Sequence, residues 1–212
     1  LNDVDLKNEC LQSRDSTEIF FLFGDSHSVQ FLPLLTFSED IKNIYYSHFR
    51  GYGFPSNKVL ESLMKKYETI YLLTNIGDSE ELDYIRSRFE KIKEDRIKLI
   101  IFNSTPSPSL KHPFKCLIHQ KDCFINKTEN IKERNLSQLF IDIKNFRLLN
   151  SSKVFLFDTF NLLCGIDDMC KVYDKKSDTL IYRDDSHIVL EGAITILEDF
   201  KNFLDRNKLI KK

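Results

Sequence analysis

Five short apolar runs, spread along 212 residues, constrain this chain more than any other feature. They are Ile19–Phe23, Asn43–Phe49, Thr69–Leu73, Ile97–Phe102 and Lys153–Phe157, all rich in aromatic and β-branched side chains. Several are apolar on both faces, the pattern of strands buried in a parallel sheet. Between them, apolar residues recur at helical spacing: Val59, Leu60, Leu63, Met64 and Tyr67; Leu82, Ile85, Phe89 and Ile92; Leu136, Leu139, Phe140, Ile143 and Phe146; and a last stripe from Leu190 through Ala193, Ile194, Leu197 and Phe200 to Leu204. A shorter helix is expected after the first strand, with Val29, Phe31, Leu32 and Leu35. Alternating strands and helices predict an α/β fold with helices on both faces of a five-stranded parallel sheet.

Residues 1–18 precede the first strand and read as an N-terminal extension or linker, leaving 19–212 as one domain. A chain that starts at Leu1, with neither Met nor leader, is expected to be a mature form or a piece of something longer. Residues 103–125 hold three of the five prolines and read as an irregular excursion between the fourth strand and a helix. Long loops of this kind are usually functional or tied down. The balance of 31 basic against 32 acidic residues, without a block of one sign, gives no reason to expect a nucleic-acid or anionic-membrane partner. No apolar run reaches the length of about 18 residues that a bilayer span requires.

The five cysteines include two close pairs, Cys116 with Cys123 and Cys164 with Cys170, with Cys10 left over. Neither pair has the spacing of a zinc knuckle or a redox motif. Spacing alone leaves two readings open: short-loop disulfides in an oxidising compartment, or buried free thiols in the cytosol.

Ligands of open parallel sheets bind at the carboxyl ends of the strands. Four of the six glycines follow the first three predicted strands there: Gly24, Gly51, Gly53 and Gly77. The first of these loops reads Phe23-Gly24-Asp25-Ser26-His27. Taken alone, its Asp and Ser are helix caps. The segment before the last helix changes that balance. Asp184 precedes His187 by three residues, a spacing that lets a carboxylate orient an imidazole. His187 then becomes a candidate base for a Ser26 nucleophile, with Asp185 free to cap the helix. Candidate oxyanion donors are the Ser26 N–H, the N–H of Gly53 or Gly51, and the side-chain amide of Asn75. His27 is expected to point away from its neighbour Ser26, as adjacent helical residues do. His48, His112 and His119 have no companions at ligand spacing, so neither a metal nor a cofactor is expected.

Together, G-D-S at 24–26 and D-x-x-H at 184–187 resemble the first and last blocks of the SGNH (GDSL-type) hydrolase superfamily. Gly53 or Gly51, and Asn75, stand as candidates for its two middle blocks, although T-N-I-G-D departs from the usual G-x-N-D. The resemblance spans 19–204 and implies a flavodoxin-like three-layer α/β/α sandwich with a Ser26–Asp184–His187 triad acting on esters or acetylated sugars. More narrowly, F-L-F-G-D-S-H, L-L-C-x5-C and L-I-Y-R-D-D-S-H-I-x3-G-A resemble the extracytoplasmic SGNH domain of bacterial acyltransferase-3 membrane proteins, with Ile188 where that family usually has Leu. This implies a periplasmic domain, tethered to the inner membrane, that takes an acetyl group from an upstream integral-membrane acyltransferase-3 domain. The implied acceptor is a carbohydrate such as an O-antigen or lipopolysaccharide sugar. It also implies a Cys164–Cys170 disulfide and, less directly, Cys116–Cys123. A stand-alone carbohydrate O-acetyl esterase and a non-catalytic glycan-binding module are the alternative readings.

Overall fold

A computed structural model describes residues 10–12, 17–48, 53–108, 113–119, 123–165, 168–174 and 178–210. Phe49, Gly51 and His112, named above, lie outside them, as does the Cys10 side chain. In chain order the strands are β1 (Cys10–Gln12), β2 (Glu18–Gly24), β3 (Ile44–His48), β4 (Thr69–Ile76), β5 (Ile97–Asn103), β6 (Cys123–Asn126), β7 (Val154–Phe157), β8 (Met169–Asp174) and β9 (Thr179–Leu180). The helices are α1 (Ser26–Val29), α2 (Leu32–Thr36), α3 (Asn57–Lys66), α4 (Ser79–Phe89), α5 (Phe114–Ile118), α6 (Lys127–Glu133), α7 (Leu136–Leu149), α8 (Thr159–Cys164), α9 (Leu190–Ile194) and α10 (Leu197–Arg206).

The five expected strands form one parallel sheet in the order β3-β2-β4-β5-β7. That is the 2-1-3-4-5 order of flavodoxin-like sheets, whose switch point falls between β2 and β4. β2 and β4 are buried along almost their whole length, which is why their sequences do not alternate. On one face Phe31 stacks on Phe102 at 4.5 Å, and Phe200 of α10 packs on Phe102 and Phe157. On the other, Phe89 of α4 meets Phe146 of α7 edge-on. The sheet is thus sandwiched between two helical layers.

The structure departs from the sequence reading in four places. β1, inside the stretch read as a linker, adds an antiparallel edge strand to β3. The excursion 103–125 is not wholly irregular: it holds α5 and the first three residues of β6. β6 joins β8 and β9 in a second, antiparallel sheet. Cys116–Cys123 and Cys164–Cys170 are both at disulfide-bonding distance and fasten α5 to β6 and α8 to β8. Finally, the last stripe is two helices, broken at Thr195 and Ile196. Thr195 Oγ1 donates to the Gly192 carbonyl at 2.7 Å, and Ile194-Thr195-Ile196 is a β-branched run that costs side-chain freedom in a helix.

One glycine at the sheet edge is structurally required. Gly24 has φ +131°, and a Cβ there would lie 2.3 Å from Ser28 Oγ. That hydroxyl accepts the Asn75 N–H at 3.0 Å and so ties the turn after β2 to β4. Gly24→Ala should therefore destabilise the fold by at least about 2 kcal/mol, read from the urea midpoint. An unchanged midpoint would contradict this account of the turn.

Candidate active site

Ser26 enters the site because β2 ends in the Gly24 turn and Asp25 caps the helix that follows. The Asp25 side chain accepts the His27 N–H at 2.9 Å. The cap and the candidate nucleophile are therefore different residues. Ser26 sits at the carboxyl end of β2, beside the switch point. Asn75 is the penultimate residue of β4, which runs three residues further than its apolar core suggested.

The second half of the site is a closed loop ahead of α9. Tyr182 bridges to Ile188, and the Arg183 N–H donates to the His187 carbonyl at 2.8 Å. Gln30, just past α1, accepts the Ile188 N–H through Oε1 at 2.8 Å. That bond clips the loop to the Ser26 segment. Asp185 does not cap α9, whose N-cap is Val189. Instead its carbonyl accepts the Ser107 hydroxyl, which straps the excursion to this loop.

Within this frame His187 Nε2 lies 2.8 Å from Ser26 Oγ. His187 Nδ1 lies 2.9 Å from Asp184 Oδ1 and 3.1 Å from Oδ2. Asp184 Oδ1 also accepts the N–H groups of Ser186 and His187, each at 2.9 Å, and Arg183 Nε donates to Oδ2 at 3.0 Å. Burial pushes the Asp184 carboxyl up, but the Ser186 N–H, the His187 ring, Arg183 and the His187 N–H outweigh it and hold the group well below the usual range. An ionised Asp184 fixes the proton on Nδ1 and leaves Nε2 to accept from Ser26. The arrangement is chemically able to take a proton from a serine hydroxyl and return it.

The candidate oxyanion donors fare differently. Phe54 packs edge-on against Phe23 at 5.4 Å, which brings buried Gly53 to the carboxyl end of β2. Asn75 Nδ2 donates to the carbonyls of Phe102 and Asn103, at 3.2 and 3.0 Å. Both of its amide hydrogens are thus directed at β5.

His27 does not point away from the site. Its ring stacks on His187 with centroids 4.6 Å apart and an 18° tilt. Its Nδ1 lies 3.3 Å from Asp25 Oδ2. This hydrogen bond raises the His27 pKa against the cost of burial, and the same bond lowers that of Asp25. His27 borders a cavity of about 250 Å³, also lined by Asn75, Glu81, Ser104, Thr105 and Arg134. Sequence reading missed Glu81 and Arg134 because each lies on the polar side of a helical segment, where nothing local separates a cavity wall from a solvated face.

A serine, a histidine and a carboxylate in hydrogen-bond series, at the switch point of a flavodoxin-like sheet, define a serine acyl-transfer type of site. The family model described as "SGNH domain (fused to AT3 domains)" matches residues 44–202, and the chain belongs to that family. The matched span holds Asp184 and His187 and begins after Ser26, whose place in the site is given by the geometry. Among solved structures, the chain is similar to the periplasmic domain of the Salmonella ser. Paratyphi A lipopolysaccharide acetyltransferase. That likeness has a TM-score of 0.57 at 12% identity and covers 92% of this chain and 85% of that one. At this identity it shows a shared fold. No curated protein sequence matches the chain. Among the described residues, no helix is long and apolar enough to cross a membrane.

Burial raises the Glu81 carboxyl from 4.5 to about 7; the Gly77 N–H at 2.8 Å opposes the rise, and Asp25 and Asp78 reinforce it. The folded state then binds this proton more tightly than the unfolded chain does. Its contribution to stability falls as pH rises between those two values, by about 1.4 kcal/mol per unit of displacement. Glu81→Gln should flatten the decline in Tm between about pH 5 and about pH 8. Parallel Tm curves for wild type and variant would contradict the raised value.

Proposed function

We propose that this chain is the periplasmic catalytic domain of an O-acetyltransferase, in which Ser26 carries the acetyl group and a carbohydrate hydroxyl receives it. The observation that carries the reading is the hydrogen-bond series from Ser26 Oγ through His187 to Asp184, with 2.8 and 2.9 Å links. The family's fusion to AT3 domains supports an upstream membrane acyltransferase-3 domain as the source of the acetyl group and as the tether to the inner membrane. The acceptor class is carried over from the lipopolysaccharide acetyltransferase that shares the fold. Two disulfide pairs suit an oxidising compartment.

His187 Nε2 takes the Ser26 proton as Oγ attacks the acetyl carbonyl. The negative charge that develops on the carbonyl oxygen is met by the N–H groups of Ser26 and Gly53. Asn75 joins them only by releasing one of its β5 carbonyls. Collapse of the tetrahedral species passes the proton from His187 to the donor's leaving group and leaves acetyl-Ser26. A sugar hydroxyl then gives its proton to His187 and attacks the ester carbonyl. The bond to Ser26 Oγ breaks, Oγ recovers the proton, and the acetylated sugar leaves. Asp184 stays ionised throughout and stabilises the imidazolium.

A fluorophosphonate probe should label the folded wild type and leave Ser26→Ala unlabelled. Absence of labelling in the wild type, or equal labelling of both, would remove Ser26 as nucleophile. Asp184→Asn should lower the labelling rate by about a hundredfold or more, because the neutral amide no longer selects the Nδ1–H tautomer. A rate within about threefold of wild type would show that Asp184 does not orient the base. Acetyl release into water against acetyl transfer to a glycan separates the esterase reading from the transferase.

A further inference from the structure

A groove of two cavities leads away from the triad. The first, about 250 Å³, lies against His27. The second, about 170 Å³, is lined by Ser79, Asn135, Leu136 and Leu139. Gly77, Asp78 and Arg134 border both, so the two adjoin. The first has the size of one sugar ring, and the pair has room for a second.

The first cavity is lined by polar residues and Gly77, and several polar atoms on its walls have bonding capacity to spare. Among the described residues nothing bonds His27 Nε2, and Glu81 uses only Oε2, for the Gly77 N–H. Arg134 spends one N–H on the Thr105 carbonyl at 2.5 Å and another on Ser104 Oγ at 2.7 Å. A guanidinium has five such donors, so three remain. Arg134 has no carboxylate within ion-pair distance among the described residues. Of the three carboxylates on the wall, Asp25 accepts from His27 and Asp78 caps α4, which leaves one group of each sign, Glu81 and Arg134, with capacity for a ligand. A balanced wall with both donors and acceptors suits neither an anion nor a cation. It suits a neutral ligand whose hydroxyls donate and accept in turn. The groove begins one stacking distance, 4.6 Å, from the ring of His187.

We propose that this groove binds the acceptor as a neutral oligosaccharide of at least two units, the reacting unit between His27, Glu81 and Arg134 and the next beyond Arg134. The proposal rests on the acetyl-serine reading above. His27 Nε2 and the free Glu81 oxygen accept hydrogen bonds from sugar hydroxyls, and the spare Arg134 N–H groups donate to its oxygens. The second unit meets Leu136 and Leu139, the apolar part of the groove wall.

The test uses para-nitrophenyl acetate as acetyl source and a panel of neutral methyl glycosides, mono- and disaccharide, as acceptors. The nitrophenol burst reads acetylation of Ser26, and the acceptor-dependent steady rate reads transfer. At least one disaccharide should accelerate turnover with saturation, at a half-saturating concentration ten or more times lower than its monosaccharide. Ethanol should accelerate without saturation. Glu81→Gln, which keeps an oxygen for the Gly77 N–H, and His27→Phe, which keeps a flat ring on His187, should each raise that half-saturating concentration tenfold or more. Their burst rates should fall by a smaller factor than the half-saturating concentration rises. Saturation by no member of the panel, or half-saturation unmoved by both variants, overturns the groove while the wild-type burst leaves acetyl-Ser26 standing. A variant that lowers burst and transfer in equal proportion shows a supporting role only and overturns it as well. A wild type without a burst fails at the earlier reading instead.

Discussion

The site depends on holding two residues 161 positions apart at 2.8 Å, Ser26 Oγ against His187 Nε2. No local interaction achieves this. The parallel sheet does so by ending β2 at the switch point and returning the chain after β9 to the same edge. Three restraints then remove the remaining freedom. Gly24 lets the chain turn sharply after β2, Ser28 pins that turn to the Asn75 N–H, and Gln30 holds the Ile188 N–H. The reactive contact is thus set by backbone hydrogen bonds to buried side chains, which are hard to break because their partners would be left without water.

The parts of the fold that were legible in the sequence are those with a long-range physical signature. Strands buried on both faces show as unbroken apolar runs, and all five appear in the sheet. The helical stripes of α3, α4 and α7 appear for the same reason. β6, β8 and β9 were not legible, because strands of four, six and two residues, the first two fastened by disulfides, need no such run. The break between α9 and α10 was hidden because both halves keep the apolar period, and only the β-branched residues between them mark it.

The site was legible in its motifs and less so in its walls. Asp184 and His187 lie three residues apart, and a loop closed on itself preserves that short-range geometry. His27 was misread because the rule that neighbours point apart holds for a continuing helix, whereas α1 has four residues and lies beside the His187 loop. Glu81 and Arg134 come from different helical segments and meet only through the fold. Asn75 shows the converse. Its position near the end of β4 fits an oxyanion donor, but the neighbouring strand offers two carbonyls that take its amide hydrogens.

The family match covers the sheet from β3 onward and the loop holding Asp184 and His187, and the geometry brings β2 and Ser26 to them. On the proposed reading the charged walls beside them receive the acceptor without intruding on the proton path, since His27 meets His187 face to face and not at its nitrogens. The most direct measurement is intact-protein and peptide mass spectrometry after brief acid quench of the enzyme with para-nitrophenyl acetate. The account predicts one added acetyl group, mapped to the peptide containing Ser26, lost on chasing with acceptor and absent from Ser26→Ala. An unmodified wild type, or an acetyl group mapped elsewhere, would contradict it.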